Sequence, residues 1–314
     1  MKTFRKNLAI AIDGGGIKGV IVTRALSMLE DHLKKPVHQV AGLLAGTSTG
    51  SIISAGIGSG MTAASMHDLY VTLGDTIFRK SWRTFFWPLT RYRYPHRPLA
   101  EALRKNIGDI QMQEFWEKDP KIDVVITAFD LVENRSRFFK PYKPECRTMP
   151  VVDAVLASSS VPTYFPVVDG RYVDGGVGSY ANPCYLAAYE LLYMLHWKPE
   201  ETTLISLGTG RDPHHVRPWQ PNHYGTLEWL KPMFGAFLQS ADDQQVHLVD
   251  TFFQKLDFRR FNVNLKEVIE MDDPRSIPQL EIYGEEMGKK ILADSYDEAQ
   301  GVKPTPVPGG PRPS

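Results

Sequence analysis

Twice within its first sixty residues the chain sets an apolar run, a glycine-rich turn and a helix-spaced segment in that order, which limits the possible folds more than any other feature. Leu8–Ile12 reads as a buried strand, and Gly14–Gly16 forces a tight turn. Val20, Leu26, Leu29 and Leu33 then fall on one helical face. Residues 42–45 read as the next strand, and 51–57 as a helix of small residues able to lie close against a sheet. Strand–helix–strand repetition is the signature of a parallel sheet. The spacing further predicts strands at 122–129, 172–173, 203–207 and 258–263, with 137–140 pairing beside the first of these. Helices are expected at 62–74, 151–157, 185–195, 227–238 and 246–255. The expected fold is a three-layer α/β/α domain over residues 1–300, with a mostly parallel central sheet and its functional loops at the C-terminal ends of the strands.

Composition narrows the function classes. Of 314 residues 42% are hydrophobic and 23% charged, and Lys+Arg equals Asp+Glu at 36 each. A balanced charge removes the basic field of a dedicated nucleic-acid binder, so no nucleic-acid partner is expected. Cys146 and Cys184 are too few for a disulfide framework or a four-cysteine zinc site, and no compact His/Asp/Glu cluster suggests a metal. No cofactor is expected. The apolar run after the basic start ends at Asp13, too short for a signal-peptide core, so a cytoplasmic location with possible peripheral membrane contact is expected. Residues 40–66 carry no formal charge, yet 14 of these 27 are Gly, Ser or Thr, which reads as a buried small-residue segment rather than a membrane span. Residues 301–314 hold five prolines and read as a disordered tail.

Three motifs carry chemistry. Gly46-Thr47-Ser48-Thr49-Gly50 is a G-x-S-x-G between a strand and a helix. There the supporting glycines Gly46 and Gly50 allow a sharp turn that exposes the Ser48 hydroxyl at a helix N-terminus. Its plain alternative is a Ser/Thr helix cap. Asp13-Gly14-Gly15-Gly16-Ile17-Lys18-Gly19 can turn several backbone N–H groups toward one point, as an oxyanion or a phosphate requires. The same glycines satisfy the dinucleotide pattern G-x-G-x-x-G. That pattern expects an acidic residue about 20 positions on, at the end of the second strand, where this chain has the Ser48 turn. Asp174-Gly175-Gly176 places a carboxylate at a strand end, where it could serve as a base if an apolar setting raised its pKa; alone, it could equally be an Asx turn. Ser48, Asp174 and any of His214, His215, His223 or His247 follow the order Ser…Asp…His of the α/β-hydrolases. In those proteins, however, several strands precede the elbow, and here only two fit.

Together, the D-G-G-G-I-K-G cradle, G-T-S-T-G some 30 residues later and D-G-G resemble the patatin-like phospholipases. Ala157-Ser158-Ser159-Ser160-Val161-Pro162-Thr163-Tyr164-Phe165-Pro166 resembles that family's A-x-x-A-A-P-x-x-F-P block, with serines and Val161 replacing some alanines. Asn182-Pro183 and Ile205-Ser206-Leu207-Gly208-Thr209-Gly210 resemble two further family segments. The resemblance covers about residues 8–210 and implies a patatin-like fold with a Ser–Asp dyad: Ser48 as nucleophile, Asp174 as base, and the amides of Gly14, Gly15 and Gly16 as oxyanion hole. It implies metal-free hydrolysis of fatty-acyl esters, with a glycerophospholipid or other acyl-ester lipid as partner. Rival functions remain: a nucleotide-binding module built on residues 14–19, a non-catalytic lipid-interaction protein and, within the enzyme class, an acyltransferase that shares the acyl-enzyme step.

Residues 79–97 hold six Lys/Arg, six aromatics and no acid. This composition suits a membrane-facing lid carrying Trp82, Phe85 and Trp87, single-stranded nucleic acid, or a flap packed on the core.

Overall fold

The computed structural model describes residues 1–86, 89–213 and 219–297. Trp87, His214, His215 and the 301–314 tail of the sequence reading lie outside the described residues.

The N-terminal half runs β1 (Asn7–Ile12), α1 (Gly19–Leu33), β2 (Leu43–Gly46), α2 (Thr49–Gly58), α3 (Ala63–Ile77), α4 (Trp82–Phe85), α5 (Arg97–Ile107) and α6 (Glu114–Glu117). Next come β3 (Asp123–Asp130), β4 (Arg135–Phe139), α7 (Val151–Ser158), β5 (Tyr172–Asp174), α8 (Cys184–Tyr189), β6 (Thr202–Leu207), α9 (Thr226–Phe252), β7 (Asp257–Phe261) and α10 (Ile277–Leu292). The sheet order is β4-β3-β2-β1-β6-β7. β1, β2, β3, β6 and β7 are mutually parallel, while β4 and β5 pair antiparallel with β3.

Alternation along β1 separates two cores. Leu8, Ile10 and Ile12 face α1, α2, α7 and α10, whereas Ala9 and Ala11 face the other way, toward α8 and α9. Both sheet faces are therefore covered, which is why the inner strands read as continuous apolar runs. Alanine on the second face lets α8 come close to the sheet.

The sheet reverses direction at β1: the chain moves from β1 through α1 to β2 on one side, and later places β6 on the other. Such a switch point opens a crevice beyond the carboxyl ends of the strands. The loops after β1, β2 and β6 all open into it.

Several elements differ from the sequence expectation. The two helices expected at 227–238 and 246–255 are one helix, α9, since no Gly or Pro separates them. Helices α5 and α10 were not anticipated, although Leu99, Leu103 and Ile107, and likewise Leu280, Gly284, Met287 and Ile291, are buried at helical spacing.

Candidate active site

Ser48 sits between β2 and α2 with φ 53° and ψ −121°, a conformation that costs a non-glycine residue roughly 1–3 kcal/mol. Close approach on both sides explains the flanking glycines. A Cβ on Gly46 would stand 2.1 Å from the Gly50 carbonyl oxygen, and one on Gly50 would stand 2.1 Å from that of Ile12. The Ser48 amide donates to Ser158 Oγ at 2.9 Å, and Ser51 Oγ donates to the Ser48 carbonyl at 2.6 Å. The turn is thus held from α7 and α2, with Ser48 only 5% exposed.

β2 stops opposite Ile126 of β3, and two residues further along the same edge β5 takes its place, pairing Asp174 with Ala128. This replacement brings Asp174 to Ser48 across 126 residues of sequence. The Asp174 amide donates to the Ser160 carbonyl at 3.0 Å, and its Oδ1 accepts the Gly176 amide at 2.8 Å. Oδ2 is buried and has no hydrogen-bond partner among the described residues. Burial pushes the carboxyl up to about 6, against the opposing pull of the nearby Ser48 hydroxyl and the Gly176 amide.

The cradle after β1 packs against both neighbouring loops. Thr209 Oγ1, after β6, donates to the Gly14 carbonyl at 2.7 Å, and Gly16 takes φ 60°, with the Met271 carbonyl where a Cβ would stand. Gly14 departs from the expected oxyanion role. The Gly14 amide is committed to the Ala181 carbonyl at 2.9 Å and is no free oxyanion donor. Gly14 matters instead for space, since its Cβ would lie 3.2 Å from that of Ser48. The Gly15 and Gly16 amides have no acceptor among the described residues.

Beside Ser48 opens a cavity of about 700 Å³, counting its mouth. Gly16 and Ser48 line it with Ile52, Leu69, Ile77, Phe78, Leu99, Leu103 and Phe165, an almost wholly apolar wall. Such a space takes a hydrocarbon chain and offers little to a charged ligand.

Two further side chains, neither expected from the sequence, support this site. Arg260 of β7 is buried and clasps Asp13 with both guanidinium nitrogens (2.9 and 2.5 Å). It also reaches Asp242 at 2.9 and 3.0 Å and Ser206 Oγ at 2.8 Å. Burial, reinforced by the neighbouring Asp242, pushes Asp13 up to about 7, although Arg260 opposes the rise. The available signal was an Arg259-Arg260 pair inside an expected strand, because buried arginines demand carboxylate partners. The second support is His96, stacked on Phe165 with ring centroids 5.6 Å apart and with Nε2 2.9 Å from Ser160 Oγ. The Ser160 hydroxyl gives its one hydrogen to the Leu156 carbonyl, so His96 is the donor to it. Burial drops the His96 pKa to about 4. Among the described residues no histidine hydrogen-bonds Ser48 or Asp174.

The remaining sequence candidates lie outside this constellation. Trp82 and Phe85 are 62% and 83% exposed and contribute nothing to the cavity wall. Among the described residues no three His, Cys, Asp or Glu side chains are grouped to hold a metal ion, and no helix is long and apolar enough to cross a membrane.

Fold and site define a class: a doubly covered, mostly parallel sheet presenting a serine elbow, a glycine cradle and a buried aspartate at its switch point. Residues 10–188 match the family described as patatin-like phospholipase, and the chain belongs to that family. It is 26% identical over 67% of its length to the cGAMP-activated phospholipase of Vibrio cholerae, covering 66% of that protein. It is 28% identical over 88% of its length to the calcium-independent phospholipase A2-gamma of Rattus norvegicus, of which it covers 37%. With patatin group D-2 of Solanum tuberosum it shares 24% identity over 92% of its length, covering 87% of that protein. The solved structure of VipD from Legionella pneumophila aligns with 94% of this chain and 67% of its own, with TM-score 0.48 and 11% identity.

Proposed function

We propose that this chain is a lipid acyl hydrolase that cleaves fatty-acyl esters of glycerophospholipids through a Ser48–Asp174 dyad, with residues 1–300 acting as one domain. One observation carries the reading: a buried carboxylate oxygen without a hydrogen-bond partner among the described residues, beside an elbow serine, at the edge of an apolar cavity. Asp174 removes the Ser48 proton, and Ser48 Oγ attacks the ester carbonyl carbon. The Gly15 and Gly16 amides stabilise the negative charge that develops on the carbonyl oxygen. The tetrahedral adduct collapses, the alcohol leaves with the proton held by Asp174, and the acyl group stays on Ser48. Water then gives a proton to Asp174 and attacks the acyl carbon. The fatty acid leaves as Ser48 recovers its proton.

The elevated pKa of Asp174 supports its role, because a carboxylate of ordinary acidity is a poor base for a hydroxyl. The apolar cavity weighs against a nucleotide ligand for the cradle, as does the close packing of Thr209 and Met271 on Gly15 and Gly16. The names of the relatives point to phospholipid as substrate, and the name calcium-independent phospholipase A2-gamma to chemistry without calcium.

The test is fatty-acid release from mixed phospholipid vesicles in EDTA, comparing the unaltered protein with Ser48→Ala and Asp174→Asn. Loss in both variants, with folding intact, is the expected result. Release that survives Ser48→Ala refutes the mechanism.

A further inference from the structure

Ile77 and Phe78 stand in the cavity wall, and the chain leaves that wall directly into the cationic, aromatic segment of residues 79–93. Phe78 is anchored edge-on to Tyr94 at 5.5 Å and packs on Phe165 at 6.3 Å, so both ends of the segment are fixed beside the acyl cavity. Between these anchors Trp82, Phe85, Phe86 and Leu89 are exposed. Trp82 is 62% exposed, Phe85 83% and Leu89 87%. Four large apolar groups in so short a stretch, Phe86 at 51% included, exceed the scatter normal for a protein surface.

The charges around them have one sign. Among the described residues Arg79, Arg83 and Arg91 have no carboxylate partner, and residues 79–97 contain no acid. Arg83 lies over the Trp82 ring at 4.8 Å and the Tyr92 ring at 4.6 Å. That sandwich holds a cation level with the aromatic groups, the arrangement found at the boundary between lipid headgroups and acyl chains. Arg93 is different: it pairs with Asp272 at 3.4 Å and covers Tyr164, and so belongs to the cavity mouth.

We propose that Trp82, Phe85 and Leu89, with Arg79, Arg83 and Arg91, form a docking surface for bilayers rich in anionic phospholipid. The apolar side chains enter the acyl boundary while the guanidinium groups meet phosphates, setting the cavity beside the lipid it draws in. The inference deepens the lipid-hydrolase reading and rests on it.

The experiment measures flotation of Ser48→Ala protein with vesicles of phosphatidylcholine alone and of phosphatidylcholine with phosphatidylglycerol. Turnover of a soluble short-chain ester by the unaltered protein is followed in parallel. Ser48→Ala should float mainly with the anionic vesicles. Phe85→Ser with Leu89→Ser, made in that background, should weaken binding to them about tenfold or more. Arg79→Gln, Arg83→Gln and Arg91→Gln together should weaken it on the order of 100-fold and abolish the anionic preference, at about fivefold per cation. The same surface changes in the active protein should leave short-chain turnover at the parent level, which also shows that the variants fold. Flotation unchanged by either set, or absent from anionic vesicles, overturns the docking surface. Flotation as expected with no ester turnover overturns the hydrolase reading alone.

Discussion

Asp174→Asn should remove the proposed activity and relieve the folded protein of a cost that grows with pH, and the size of that cost follows from the site. The carboxyl has an ordinary pKa of 3.8 in the unfolded chain and about 6 when folded, because burial disfavours its charge. Between these values the folded protein holds a proton that the unfolded chain has released, so stability falls as pH rises and levels off above about 6. A difference of about 2.2 pKa units corresponds to about 3 kcal/mol at neutral pH, at 1.36 kcal/mol per unit. Asparagine carries no such charge. Its Oδ1 can still accept the Gly176 amide, and its Nδ2 replaces an oxygen that has no hydrogen-bond partner among the described residues. An unpaired amide would offset about 1–3 kcal/mol of the gain, but equally at every pH. The slope is therefore the decisive quantity. Urea unfolding of both proteins from pH 3 to 8 should show a difference that shifts in favour of asparagine between about pH 4 and 6 and is flat beyond. A difference independent of pH, or one that turns against asparagine as pH rises, would refute the claim that Asp174 is held as a strained buried base.

In the proposed mechanism the same carboxyl must be ionised to accept the Ser48 proton, so kcat/KM should fall about tenfold per pH unit below about 6; a profile flat down to pH 4.5 would contradict this. Arg260→Met leaves Asp13 and Asp242 buried without their shared cation and should lower unfolding stability by about 3–5 kcal/mol at pH 7, read from denaturant midpoints. Gly50→Ala places a Cβ against main chain that cannot give way and should cost more than about 3 kcal/mol, visible as lost soluble yield or a collapsed thermal transition.

Much of the site was legible because its parts are local. A strand, a glycine turn and a helix specify a sharp turn within ten residues, and β2 ends at Gly46 and α2 begins at Thr49 on either side of Ser48. The same locality explains what went unread. Helices α5 and α10 carry clear helical spacing, but their amphipathic faces have meaning only against partners distant in the chain, as α10 has in α1. The Gly14 amide could not be recognised as occupied, because its acceptor Ala181 arrives from beyond β5.

The sequence by itself determined the repeating strand–turn–helix units, the parallel sheet they require and the identity of the chemical groups, since each follows from short-range periodicity and backbone sterics. Only the tertiary structure decided which of those groups meet. Asp174 reaches Ser48 because β5 takes over the edge of β3 where β2 ends, and Arg260 reaches Asp13 because β7 lies beyond β6. Burial then sets their charge states, and burial is a property of the whole fold rather than of any segment.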